Sequence, residues 1–170
     1  IGLDGQYAPW VGTLVADIEA PILLVAPEGK EEEAVLRLSR VGYDNCLGYL
    51  QGGIPAWQAA GKSVETVKTV SPSDFVTAYT TGAKTLDVRK PGEFEAAHLN
   101  HVPNKPLDFI YEWLDDLDKT QPYLVHCAGG YRSMIAISIL KAKGFKQLTN
   151  VNGGFNGFKD LEQAKTAIVT

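Results

Sequence analysis

The chain has 170 residues, 45% of them hydrophobic, and a formal net charge of −4 with its Lys and Arg scattered along the sequence. That length and composition give one ordinary domain or two small ones with a packed core, and exclude a disordered chain. The charge pattern offers no footprint for a nucleic-acid partner or an anionic membrane, and no apolar run reaches the roughly 20 residues of a membrane span, so a soluble, cytoplasmic protein is expected.

The opening Ile1-Gly2-Leu3-Asp4 lacks the basic and apolar regions of a secretion signal, and because it does not begin with Met the chain is expected to be part of a longer one. Cys46 and Cys127 are the only cysteines, too few for a disulfide framework, and both are expected to be reduced.

In chain order, Pro21-Ile22-Leu23-Leu24-Val25-Ala26 reads as a short buried strand, residues 31–40 as a helix stopped by Gly42, and Tyr49-Leu50-Gln51-Gly52-Gly53 as a strand end entering a Gly-Gly turn. The same succession recurs downstream. Pro122-Tyr123-Leu124-Val125-His126-Cys127 repeats the strand, residues 133–143 the helix, and Asn150-Val151-Asn152-Gly153-Gly154 the turn, at an offset of 153 − 52 = 101. The second copy also has elements that the first lacks. A β-rich stretch covers residues 64–70, Ser71 caps a helix with Pro72 at its first position, Thr85-Leu86-Asp87-Val88-Arg89 forms a further strand, and Lys90-Pro91-Gly92-Glu93 a turn. Strands alternating with helices predict an α/β fold, a parallel sheet flanked by helices, built as tandem units: a truncated one over residues 1–63 and a full one over residues 64–170.

The chemistry concentrates where the second strand meets its helix. Cys127 ends an apolar strand, and Ala128, Gly129, Gly130, Tyr131, Arg132 and Ser133 lead into the helix. Two glycines let the backbone curl so that successive N–H groups point inward, and the helix terminus and Arg132 add positive charge. Such surroundings favour a thiolate, whereas an inert strand-end cysteine has no use for them. Cys127 is therefore the expected nucleophile, with residues 128–133 as its substrate cradle.

Cys-x-x-x-x-Arg-Ser after an apolar strand, with Leu86-Asp87-Val88-Arg89, Glu93-Phe94 and His98-Leu99 upstream and Gly153-Gly154 downstream, resembles the rhodanese family over residues 64–170. The resemblance implies a five-stranded parallel sheet and a cysteine cycling between thiolate and persulfide: sulfane sulfur taken from thiosulfate or a low-molecular-weight persulfide and passed to a thiol, sulfite or cyanide, with no metal or organic cofactor. Ala97, His101 and Val102 depart from the small residues and glycines common in the family. The upstream copy, with Gly2-Leu3-Asp4-Gly5-Gln6-Tyr7-Ala8-Pro9-Trp10 and no catalytic Cys, resembles the inactive rhodanese unit found between a metallo-β-lactamase-fold domain and an active rhodanese in sulfide-oxidation fusion proteins, which implies such a domain as an N-terminal neighbour.

The first copy should be inert. Ala26 and Pro27 stand where the nucleophile would be, and Glu28 with Glu31, Glu32 and Glu33 fill the loop and helix terminus with negative charge. Cys46 is expected to be packing. Asp87 and Arg89 read as architectural, His126 as facing away from Cys127 with no role as a base, and His98 with His101 as lacking a third ligand for zinc. Two rivals stand beside the sulfurtransferase. A cysteine phosphatase would separate Cys from Arg by five residues rather than four and needs an acid for its leaving group; a non-catalytic interaction module would have no need of the intact loop.

Overall fold

A computed structural model describes residues 1–170, which fall into two compact units, Ile1–Thr66 and Val67–Thr170.

The first unit comprises helix α1 (Tyr7–Leu14), strand β1 (Ile22–Leu24), helix α2 (Glu31–Ser39), strand β2 (Cys46–Tyr49) and helix α3 (Gly53–Ala59). β1 and β2 pair in parallel, as a strand–helix–strand crossover requires. Tyr7 and Val11 of α1 and Ala34 and Leu38 of α2 pack with Leu24 and Tyr43, closing one face of this small sheet. Helix α1 has no clear signal in the residue order because Pro9 and Gly12 mask its period. Its buried residues, Tyr7, Trp10, Val11 and Leu14, nevertheless keep helical spacing, and Pro9 sits in the first turn, where no amide is needed. The other face is bare. Leu23, Val25, Leu47 and Tyr49 are exposed, and α3 buries no residue, leaving Ile54 and Trp57 in solvent.

The second unit runs β3 (Lys68–Val70), α4 (Pro72–Thr80), β4 (Thr85–Asp87), α5 (Pro91–Ala96), β5 (His98–Leu99), a 3-10 turn continuing into α6 (Ile110–Trp113), β6 (Tyr123–His126), α7 (Tyr131–Ala142), β7 (Leu148–Val151), α8 (Gly154–Phe158), α9 (Glu162–Lys165) and β8 (Ile168–Val169). Its sheet has the order β3-β7-β6-β4, all parallel, and β5 pairs antiparallel with β8. The α/β class with helices flanking a parallel sheet is thus observed. On one face α4 and α8 meet through Phe75 and Phe158, whose ring centres are 4.7 Å apart. Elsewhere α7 lies against β6 and β7 and buries Ile135, Ala136, Ile137 and Leu140. The Ser71 cap is present as expected, its Oγ accepting the Asp74 N–H at 3.1 Å.

Several expectations are corrected. The sheet has four strands, not five. The fifth position is reduced to a single bridge between Asp87 and Asn104, because His101 takes a left-handed φ of 61° and Pro103 and Pro106 have no N–H to extend a ladder. Residues 90–93 do not form a turn alone: Lys90 caps α5 with Pro91 at its first position, and Glu93 folds back to accept the Lys90 N–H at 3.2 Å. The stretch 64–70 pairs only over its last three residues. Helix α7 begins at Tyr131, two residues before Ser133, because Gly130 adopts a φ of 105° and turns the chain straight into the helix.

No helix is long and apolar enough to cross a membrane.

Candidate active site

Strand β6 is an interior strand of the parallel sheet, and Cys127 follows its carboxyl end, the edge at which open parallel sheets place ligands. The Cys127 side chain is only 1% exposed, but it does not lie among hydrocarbon alone. Its Sγ accepts the Gly130 N–H at 3.1 Å and lies 3.7 Å from Ser133 Oγ. Ser133, itself buried in the first turn of α7, is 2.7 Å from Asn150 Oδ1 on β7 and 3.0 Å from the Gly130 carbonyl. With a single hydroxyl proton Ser133 can satisfy one of these oxygens at a time, or turn that proton to the sulfur once the thiol ionises.

The curl of the loop has an identifiable cause. The Cys127 carbonyl accepts the Phe155 N–H at 2.7 Å, and the Ala128 carbonyl accepts the Asn156 N–H at 3.0 Å. Helix α8 thus turns two loop carbonyls toward its own unpaired amides, away from the sulfur. Approach this close demands glycine at position 154. A Cβ there would overlap the Cys127 carbonyl oxygen and lie 2.9 Å from both carbonyl atoms of Ala128, and its φ of 54° is itself left-handed. In the first unit the corresponding Gly53 is looser: a Cβ would stand 3.7 Å from the Ala26 carbonyl oxygen.

Of the predicted cradle, Gly130 and Ser133 address the sulfur directly, Ala128 holds the loop to α8, and Gly129 lies exposed at the tip. Tyr131 and Arg132 are half-buried in the first turn of α7. Arg132 does not point into empty space. Its two terminal nitrogens bind both carboxylate oxygens of Glu93, at 2.5 and 2.8 Å. The hydrogen bond to Glu93 raises the guanidinium's proton affinity, and the same bond from Arg132 holds the Glu93 carboxyl below its ordinary range. The Cys127 sulfur also lies within electrostatic reach of this arginine.

Behind the loop, Asp87 and Arg89 form a buried pair: Arg89 donates to both Asp87 oxygens, at 3.0 to 2.6 Å, and to the Ala97 carbonyl at 2.8 Å, while its guanidinium stacks 3.9 Å over Phe155. Asn104 Nδ2 donates to the Asp87 and Arg89 carbonyls at 3.2 and 3.0 Å. This is a tie between β4, the segment after α5 and α8, and Asp87 Oδ2 also lies 3.9 Å from His126 Nε2. His126 is fully buried against Phe75 and Phe158, and burial depresses its pKa to about 4. Cys46 is partly buried at the margin of the first unit's core.

Sequence reasoning missed two partners, Asn150 and Glu93. Asn150 stood in the repeated motif, and a polar residue at an inward strand position was the available signal. Glu93 was visible only as part of a motif, 39 residues from the arginine it binds.

Residues 71–161 match the family model described as the rhodanese-like domain. The chain is 29% identical over 99 residues to YqhL of Bacillus subtilis, covering 58% of this chain and 78% of that protein. It is 26% identical over 100 residues to the thiosulfate sulfurtransferase GlpE of Pseudomonas entomophila, covering 59% and 92% respectively. Among solved structures, a rhodanese-like domain protein from Staphylococcus aureus superposes with a TM-score of 0.52 at 26% identity, over 56% of this chain and 95% of that one. The reduced CoADR-RHD of Bacillus anthracis gives 0.54 at 25% identity, over 78% of this chain and 21% of that one.

Proposed function

The chain belongs to the rhodanese-like domain family, and on that premise we propose that it is a sulfurtransferase whose Cys127 carries sulfane sulfur as a persulfide. The observation that carries the reading is the Gly130 N–H aimed at Cys127 Sγ from 3.1 Å, in a loop whose Cys127 and Ala128 carbonyls are drawn off by α8. Relatives named as thiosulfate sulfurtransferases support it.

In the first half-reaction the Cys127 thiolate attacks the outer sulfur of thiosulfate or of an alkyl persulfide. The donor's S–S bond breaks, its electron pair leaves with sulfite or thiolate, and Cys127 holds S–S⁻. The Gly130 amide and a reoriented Ser133 hydroxyl stabilise the sulfur anion before and after transfer. In the second half-reaction an acceptor thiolate, sulfite or cyanide attacks the terminal sulfur, and the bond's electron pair returns to Cys127. No proton need be moved by His126, which burial keeps neutral although its Nε2 lies 3.9 Å from Asp87 Oδ2.

The reading extends to residues 1–63 as a truncated, inactive relative of the same domain. The shared strand–helix–strand order supports this, as does Ala26 at the place of Cys127. Two unbridged cysteines suit a reducing, cytoplasmic setting.

Incubation with thiosulfate or an alkyl persulfide, followed by intact mass measurement, should add one sulfur atom to the wild type and none to Cys127→Ser. Hydrolysis of an aryl phosphate without any sulfur adduct would favour a phosphatase, and neither activity would favour an interaction module.

A further inference from the structure

Three basic side chains beside the loop are paired with carboxylates, and Asp108 keeps one buried oxygen, Oδ2, without a hydrogen bond. Arg132 is taken by Glu93 in a two-pronged pair, Lys90 stands 3.6 Å from Asp108, and Arg89 is locked on Asp87. A donor reaching Cys127 therefore meets side-chain cations already paired with carboxylates, which leaves main-chain amides such as the Gly130 N–H to hold its negative charge. Under these conditions a dianion is penalised relative to a monoanion, since each extra negative charge repels the thiolate without an uncommitted cation to offset it. Thiosulfate carries two negative charges; an alkyl persulfide with a neutral stem carries one. The burial of Cys127, 1% exposed, also favours a donor whose reactive sulfur ends a thin stem over one backed by a bulky sulfonate.

We propose that Glu93 sets donor specificity, by occupying the Arg132 guanidinium so that the site prefers alkyl persulfides to thiosulfate. The proposal rests on the sulfurtransferase reading and deepens it. Glu93 is suited to the role by its dual attachment: the same carboxylate that binds Arg132 accepts the Lys90 N–H, so it is held by α5 and does not swing aside when a donor arrives. Arg132 is the substrate-facing group and Glu93 a positioning residue that acts through it.

The test is the donor preference, the ratio of kcat/KM for thiosulfate to kcat/KM for 2-hydroxyethyl persulfide. Glu93→Gln keeps the Lys90 contact and removes the charge, and should raise the ratio about tenfold, the effect expected of uncovering one cation beside a donor that carries one more negative charge. The double variant Glu93→Gln with Arg132→Gln should return the ratio to near its wild-type value. A ratio that stays within twofold in Glu93→Gln, or a gain that survives in the double variant, overturns the proposal. Wild-type protein gives a second reading without any substitution: thiosulfate kcat/KM should not fall steeply as ionic strength rises, because the side-chain cations beside the loop are already paired, and a steep fall overturns the proposal. Intact mass separates the two levels of inference. A wild type that takes sulfur from neither donor defeats the sulfurtransferase reading itself, while sulfur uptake with an unmoved ratio defeats only the role of Glu93.

Discussion

Gly154→Ala is the sharpest probe of how the loop is held. The new methyl group overlaps the Cys127 carbonyl oxygen and presses on the Ala128 carbonyl, all of it backbone that cannot step aside as a side chain would. Left-handed φ at a residue with Cβ costs about 1 kcal/mol. Separating α8 from the loop weakens two hydrogen bonds, Phe155 N–H to Cys127 and Asn156 N–H to Ala128, each worth about 1 kcal/mol net. Together the expected loss is about 3 kcal/mol of stability, a large share of the roughly 5–15 kcal/mol that a domain possesses. If the loop shifts instead of the helix, the Gly130 amide leaves the sulfur, and a displacement on the order of 1 Å should slow sulfur loading by about 100-fold. Urea unfolding and the rate of persulfide formation by mass spectrometry read the two effects. Gly53→Ala is the internal control: with 3.7 Å to the Ala26 carbonyl oxygen and a φ of 58°, it should cost only the backbone strain of about 1 kcal/mol. A Gly154→Ala protein that unfolds within 0.5 kcal/mol of wild type, a margin on the order of a neutral surface change, and loads sulfur at the normal rate would refute the claim that α8 shapes the loop.

His126 should make the second unit acid-sensitive. Its folded pKa of about 4, lowered first by burial, lies below the ordinary 6.5, so the unfolded chain binds the extra proton between these values. The contribution is complete above about pH 6.5 and is lost as pH falls toward 4, with a total of about 3 kcal/mol, and His126→Phe should flatten that slope in urea melts at stepped pH. An unchanged slope would mean the imidazole is not what senses acid. Asp87→Asn should leave the Arg89 guanidinium buried without its charge partner and cost about 3–5 kcal/mol in the same assay. A loss below about 1 kcal/mol, the scale of an exposed ion pair, would show that the pair is solvated in solution.

Much of this protein was readable from residue order. Apolar runs before Asp87 and Cys127, the Ser71-Pro72 cap and the repeated Gly-Gly turns are local signals, because strand burial, helix starts and left-handed turns depend on a few adjacent side chains. The choice of Cys127 rested on the same kind of signal, glycines and an arginine within a few residues. What neighbours cannot encode is who stands opposite whom. Asn150 reaches Ser133 only because β7 lies beside β6, and Glu93 reaches Arg132 only because the fold brings the first turns of α5 and α7 within side-chain reach. The loss of the fifth strand has local causes in His101, Pro103 and Pro106, whereas the exposed face of the β1–β2 sheet depends on what packs nearby. Hydrogen bonds and ion pairs act over about 3 Å, and only the folded chain brings groups separated by 17 or 39 residues within that range.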